Sequence, residues 1–170
     1  HKLILTSETW QQASQILPNA KDSDNRLLWR MNRQRMDAEV FRDSILRLSG
    51  RLDLSMGGPG IEQFKKSQGP QATPALDYSS YDWNSPGASR RSIYRVVWRG
   101  ISDPFMEALD FPDLGLLAPK RGFSVSALQS LAVFNNDFVL HGSEWLAQRV
   151  ESEGGDLEAH VQRAVRLVWL

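Results

Sequence analysis

Residues able to do chemistry are sparse in this chain of 170 residues. Histidine occurs three times, at His1, His141 and His160, with no His-x-x-x-His spacing to set two imidazoles on one helical face around a metal. Cysteine is absent, which removes thiolate nucleophiles, Cys-ligated zinc and Cys-x-x-Cys-His haem attachment from this segment. Gly57-Gly58-Pro59-Gly60 has the composition of a phosphate loop. It lacks the Gly-Lys-Ser/Thr ending and a preceding strand, so it reads as a turn. No Gly-x-Ser-x-Gly nucleophile elbow occurs. Neither a metal site nor a cofactor is expected in this segment.

Arginine carries the pattern. Of 20 basic residues, 15 are Arg. Seven lie between Arg26 and Arg51 against three acids, Asp37, Glu39 and Asp43. A second group, Arg90, Arg91, Arg95 and Arg99, has no acid between its ends. A guanidinium is a planar fork suited to carboxylates and phosphates, which leaves two readings open. In one, the arginines pair internally: Glu39, Arg42, Asp43 and Asp110 form structural ion pairs, with Asp103 and Asp113 as further acids after the second cluster. In the other they form a face for a sulfate, phosphate or carboxylate ligand. Both readings expect the two clusters to meet in space. The formal net charge of zero gives no general attraction to nucleic acid or an anionic membrane.

The elements that must position these residues read as mainly helical. With 41% apolar and 24% charged residues, the chain has the composition of an ordinary globular protein. No run approaches the roughly 18 apolar residues of a membrane span. The length fits a single domain over 1–170. The start at His1 and the apolar stop at Val168-Trp169-Leu170 suggest a fragment cut from a larger multidomain protein.

Thr6 or Ser7 reads as the N-cap of a helix through Trp10, Ala13, Ile16 and Leu17. A short helix is expected through Leu27, Leu28 and Met31 after the capping residues Asp22 to Asn25. The clearest helix runs from about Met36 to Ser49. Ala38, Phe41, Ile45, Leu48 and Leu52 form its core face, Glu39 and Arg42 lie on its other faces, and Gly50 follows as a left-handed stop.

Periodicity vanishes from Met56 to Ser89, a Gly/Pro-rich stretch in which Tyr78, Tyr81 and Trp83 imply ordered packing. Ile93 to Trp98, β-branched and aromatic, reads as a strand and as the centre of at most a small sheet. Helices resume at Pro104, at Ser126, after the capping run Asn135-Asn136-Asp137 and at Asp156.

Several strings resemble a known signature. They are Leu3-Ile4-Leu5-Thr6-Ser7-Glu8-Thr9-Trp10, Asp24-Asn25-Arg26-Leu27-Leu28-Trp29-Arg30-Met31-Asn32-Arg33 and Asp37-Ala38-Glu39-Val40-Phe41-Arg42-Asp43. Ser49-Gly50-Arg51-Leu52, Met56-Gly57-Gly58-Pro59, Arg90-Arg91-Ser92-Ile93-Tyr94-Arg95 and Ala127-Leu128-Gln129-Ser130-Leu131, then Asn135, complete it. In order and spacing the chain resembles the planctomycete PSD-type family, domain of unknown function 1553. It departs from that pattern where the family carries a cysteine and a proline before Leu128; here the cysteine is missing and Ala127 replaces the proline. The resemblance implies an extracytoplasmic location, in the periplasm or at the cell surface. It also implies upstream domains of the same parent chain, among them a c-type cytochrome whose haem lies outside this segment.

The function expected on these grounds is an accessory or ligand- or partner-binding module of an exported, cytochrome c-containing protein. Its polar residues of interest are Arg90, Arg91, Tyr94, Arg95, Arg121, Gln129 and Asn135, with a buried hydrogen-bond network as their structural role. The alternative is part of an enzyme acting on an anionic polymer such as a polysaccharide, with Glu39 or Asp110 as acid/base.

Overall fold

A computed structural model describes residues 1–15, 22–69, 73–116 and 121–169. They form two compact units, His1–Arg35 and Met36–Leu170. The chain is mainly α, 42% helical, with six helices and one two-stranded antiparallel sheet among the described residues.

In the first unit helix α1 spans Lys2–Leu5. The expected helix from Thr6 to Leu17 is not formed over its described part, and Ile16 and Leu17 lie outside the described residues. Thr6 instead ends α1. Its hydroxyl donates to the Lys2 carbonyl at 2.9 Å, and the Ser7 hydroxyl donates to the Ile4 carbonyl at 2.7 Å. Hydroxyls competing for backbone groups close a turn as readily as they start one.

Nor do Leu27 to Met31 form a helix. Asp22 does cap, its carboxylate accepting from the Arg26 and Leu27 N–H groups at 3.0 and 2.6 Å. Asn25 and Leu28 then adopt left-handed φ values of +54° and +55°, which no α-helix can propagate. The buried Asn25 side chain holds this loop, donating to the Arg30 carbonyl and accepting from the Arg30 N–H.

In the second unit α2 spans Ala38–Leu48. Its deepest stripe is Ala38, Arg42 and Leu46, followed by Ser49, at helical spacing. Phe41, Ile45 and Leu52 pack beside it. Arg42 is therefore on the inward face, contrary to its expected place on an outer one. Gly50, at φ +74°, ends α2: its N–H bonds the Arg47 carbonyl while the Arg51 N–H bonds that of Leu46, a Schellman arrangement.

The described part of the Gly/Pro-rich excursion that follows contains the small sheet. Strand β1, Lys65–Ser67, runs antiparallel to β2, Ala75–Asp77. The sheet is thus not centred on Ile93–Trp98, where Ser92–Tyr94 forms a 3₁₀ turn and Ile93 is 79% exposed. That segment makes isolated bridges instead: Ile61 donates to the Tyr94 carbonyl and accepts from the Val96 N–H, and Trp98 pairs with Ile101. Pro59, two residues before Ile61, has no N–H with which to extend a ladder.

Helix α3, Pro104–Ala108, starts with proline as its first residue. Asp103 is its N-cap, accepting from the Phe105 and Met106 N–H groups. Ser126 and Asn136 cap α4, Ala127–Asn135, and α5, Asp137–Ser152. Asp156 accepts from Ala159 N–H at the start of α6, Leu157–Trp169. The core is built by α2, α3 and α5 from Ala38, Leu46, Phe105, Met106, Leu109, Phe138 and Trp145.

Helices α2 and α5 approach closely at Gly142, where a Cβ would fall 2.4 Å from Ile45 Cγ2. Two effects oppose each other in Gly142→Ala. Helix propensity favours alanine by about 1 kcal/mol. Overpacking against a β-branched side chain that cannot swing aside costs roughly 1–3 kcal/mol. The clash wins, so Gly142→Ala is expected to lower the midpoint of urea unfolding. A midpoint raised by the substitution would contradict this packing.

Candidate functional site

The polar centre of the second unit is built where α2 faces the segment 86–95. Arg42, 2% exposed, points into that segment. Its Nη2 donates to the Ala88 carbonyl at 2.9 Å, and its Nη1 to the Arg90 carbonyl at 3.0 Å and to Ser92 Oγ at 3.3 Å. Asp43 Oδ1 lies 3.3 Å from Nη1 and also accepts from the Ser92 hydroxyl and N–H, at 2.7 and 2.8 Å. Phe138 of α5 lies beneath, its centroid 5.2 Å from the guanidinium carbon. Burial, and after it the like charge of Arg95, pull the Arg42 pKa down from 12.5 to about 10, with Asp43 opposing. The group therefore stays charged at neutral pH.

Arg95 continues the network. Its Nε donates to Gln63 Oε1 at 2.7 Å and its Nη2 pairs with Asp103, the cap of α3. On the other side of Tyr94 the arrangement changes. Arg90 lies over the Tyr94 ring with its guanidinium carbon 3.7 Å from the centroid, and donates to the carbonyls of Gly57 and Pro59. Gly57 N–H donates to Tyr94 Oη at 2.7 Å, which, ahead of the neighbouring arginines, lowers the Tyr94 pKa. The glycine turn thus offers carbonyls to a cation, the reverse of a phosphate loop. Arg91 reaches Met56 Sδ.

Glu39 and Arg121 form a bidentate pair, both bonds 2.7 Å, tying the segment before α4 to the first turn of α2. The Arg121 hydrogen bonds hold the Glu39 carboxyl below its ordinary 4.5, against a smaller opposing effect of burial, and raise the Arg121 pKa. Asp110 accepts from the Ser124 N–H and hydroxyl and from Gln129 Nε2. Asn135, the last residue of α4, borders a different hollow with Asp77 and Trp83.

The sequence-derived residues therefore fall into several groups. Arg95 joins Arg42, while Arg90, Arg91 and Tyr94 form a second group around the glycine turn. Arg121 pairs with Glu39, Gln129 binds Asp110, and Asn135 stands apart. Arg26, Arg30, Arg33 and Arg35 belong to the first unit.

An opening of about 580 Å³ brings Glu39, Asp43 and Arg95 to the border of a cleft lined also by Val97, Met106 and Phe111. Its walls are mostly apolar, and its carboxylates are already hydrogen-bonded, Glu39 to Arg121 and Asp43 to Ser92. That arrangement suits binding better than proton transfer. Among the described residues no cluster of three His, Cys, Asp or Glu could hold a metal ion. Gln63 and Ser92 were missed by sequence reasoning. Gln63 follows no periodic pattern, whereas Arg42 was findable from the Ala38–Arg42–Leu46 spacing.

The family model described as PSD1, protein of unknown function (DUF1553), matches residues 1–170, and the chain belongs to that family. No curated protein and no solved structure matches it.

Two substitutions separate buried from exposed pairing. Arg42→Ala takes the donor from the Ala88 and Arg90 carbonyls and the cation from Asp43, and should cost about 3–5 kcal/mol in urea unfolding. Glu39→Gln should cost about 1 kcal/mol or less at pH 7, because the Glu39 and Arg121 side chains are 28% and 37% exposed. The Glu39 carboxyl is lowered in the fold. Its contribution is therefore full above the ordinary carboxyl pKa and fades as pH falls through the folded value. Wild type and Glu39→Gln should converge in stability at that acid end. Equal losses for the two variants at pH 7 would contradict this division.

Proposed function

We propose that this member of the family is a non-catalytic module that binds the upstream domains of its own parent polypeptide, within an exported protein that also carries a c-type cytochrome. The contrast between its polar and apolar groups carries this reading. Arg42, Arg90, Arg95 and Arg121 donate to carbonyls or pair with acids inside the unit. Large apolar side chains, by contrast, stand in solvent. Leu128, Leu131 and Phe134 are 73%, 56% and 79% exposed along one side of α4, a helix that buries no residue. Exposed apolar patches of this kind mark protein–protein contacts. The upstream partner and the export are carried over from what the family resemblance implies, and form part of the proposal.

An enzyme acting on an anionic polymer would need a proton donor near neutral pH and arginines open to the substrate. Glu39 is held ionised by Arg121, and Asp110 is engaged by Ser124 and Gln129. These features support the binding reading over the enzymatic one. No helix is long and apolar enough to cross a membrane among the described residues, so a surface role for α4 does not compete with membrane insertion of a long helix.

The test mixes this chain with the separately produced remainder of the parent polypeptide and follows binding by calorimetry. Micromolar or tighter affinity is expected, weakened about tenfold or more by Phe134→Asp at unchanged melting temperature. Sulfated and carboxylated oligosaccharides should leave the melting temperature unmoved. Absence of binding, or a salt-sensitive stabilisation by the oligosaccharides, would overturn the reading.

A further inference from the structure

Val40, Asp43 and Arg47, three or four residues apart on α2, line the cleft of about 580 Å³, and Ile93, Val97 and Phe111 line it from elsewhere in the unit. Its volume is that of a small-molecule site, which runs from about 300 to 1,000 Å³. Two of its apolar residues stand open to water, Val40 at 51% and Ile93 at 79% exposure. Ile93 is held there by the 3₁₀ turn Ser92–Tyr94, whose first residue donates twice to Asp43. An apolar ligand would cover what the fold leaves bare.

Charge decides what else that ligand carries. Both Glu39 oxygens accept from Arg121. Asp43 pairs with Arg42, and Arg95 with Asp103. Arg47, in the last turn of α2, is different. Its natural partner on the helix is Asp43, four residues before it, but Asp43 is turned to Arg42 and Ser92. The negative end of the helix favours a cation at this place without engaging its fork. The Arg47 side chain makes no hydrogen bond or ion pair among the described residues, and it is exposed. Among those residues the one charge of the cleft left without a partner is therefore positive, and it stands beside an apolar wall. A sugar acid would pair with Arg47 and leave the wall bare. A neutral hydrocarbon would cover the wall and leave the guanidinium unanswered. A single carboxylate on an apolar body matches both, because the planar fork takes its two oxygens together.

We propose that this cleft binds an apolar monocarboxylate, a fatty or aromatic acid, whose carboxylate pairs with Arg47 while its hydrocarbon covers Val40, Ile93 and Val97. No residue of α4 lines the cleft, so this binding and the partner contact through α4 can each fail without the other.

The test titrates the whole chain with decanoate and with naphthoate, followed by calorimetry and by the methyl NMR signals of Val40, Ile93 and Val97. Saturable one-to-one binding is expected, with shifts centred on those methyls. Decanol, which keeps the hydrocarbon, should bind about fivefold or more weakly, the scale of one lost charge pair. Gluconate, which keeps only the carboxylate, should not bind. Arg47→Gln should weaken decanoate by the same factor and leave decanol unchanged, at an unchanged melting temperature of the free chain. Ile93→Asp, at an exposed position, should weaken decanoate and decanol alike. Absence of saturable binding, shifts centred elsewhere, or decanoate affinity equal in Arg47→Gln and wild type would overturn the proposal.

Discussion

Burial of the Arg42 guanidinium is the constraint on which the second unit depends. The segment 86–95 has little regular structure of its own: two 3₁₀ turns, Pro86–Ser89 and Ser92–Tyr94, and isolated bridges at Arg90 and Arg95. Backbone of this kind leaves carbonyls that a sheet would have paired. Arg42 supplies the missing donors at Ala88 and Arg90 from the side of a helix. Desolvating the charge is costly, as its lowered pKa registers. The carbonyls, Ser92, Asp43 and the Phe138 ring together offset that cost. Removing any one leaves the charge under-compensated, which is why the loop and α2 must fold as one piece.

The same use of arginine recurs across the unit. Arg149 of α5 donates to the Leu48 carbonyl at 2.5 Å, and Arg163 of α6 to those of Val150 and Gly154 at 3.0 and 3.1 Å. These are last-turn or post-helix carbonyls of α2 and α5, where a cation also meets the negative end of the helix dipole. Arg90 does for the glycine turn what these do for helices. Arg42, Arg90, Arg149 and Arg163 thus serve the fold itself, each through backbone carbonyls. Each of these four forks fastens a place where the backbone runs out of its own hydrogen bonds.

What was legible in the sequence follows from which signals are local. Gly50, Pro104 and Ser126 act through groups within a few residues, and each ends or starts a helix as read, while of the capping run Asn135-Asn136-Asp137 it is Asn136 that caps α5. Ile93–Trp98 misled because β-branching reports only a preference for pleated surface, while a strand also needs a partner with free backbone groups. Here Asp43 and Arg42 draw Ser92 into a turn instead. At Thr6 and Asp22 the capping chemistry was real, but capping side chains close loops as well as helices. The site was legible in residue type and not in grouping. Arg95 and Arg90, five residues apart, serve different neighbours, and the pairing of Arg121 with Glu39 spans 82 positions that no spacing rule connects.

A hydrophobe at position 42 would make a simpler core, since buried ion pairs often contribute less than well-packed apolar groups. It would not place the loop. The three hydrogen bonds from Arg42 to Ala88, Arg90 and Ser92 have direction, whereas apolar packing against Phe138 would leave segment 86–95 free to slide. Sliding would separate Arg95 from Asp103 and Gln63, and Arg90 from the glycine turn. It would also reshape the cleft bordered by Glu39, Asp43 and Arg95. The arginine therefore trades part of the stability an apolar core would give for a defined position of an irregular loop. That trade would suit the partner-binding role proposed for the exposed face of α4, which needs a surface held in a fixed position.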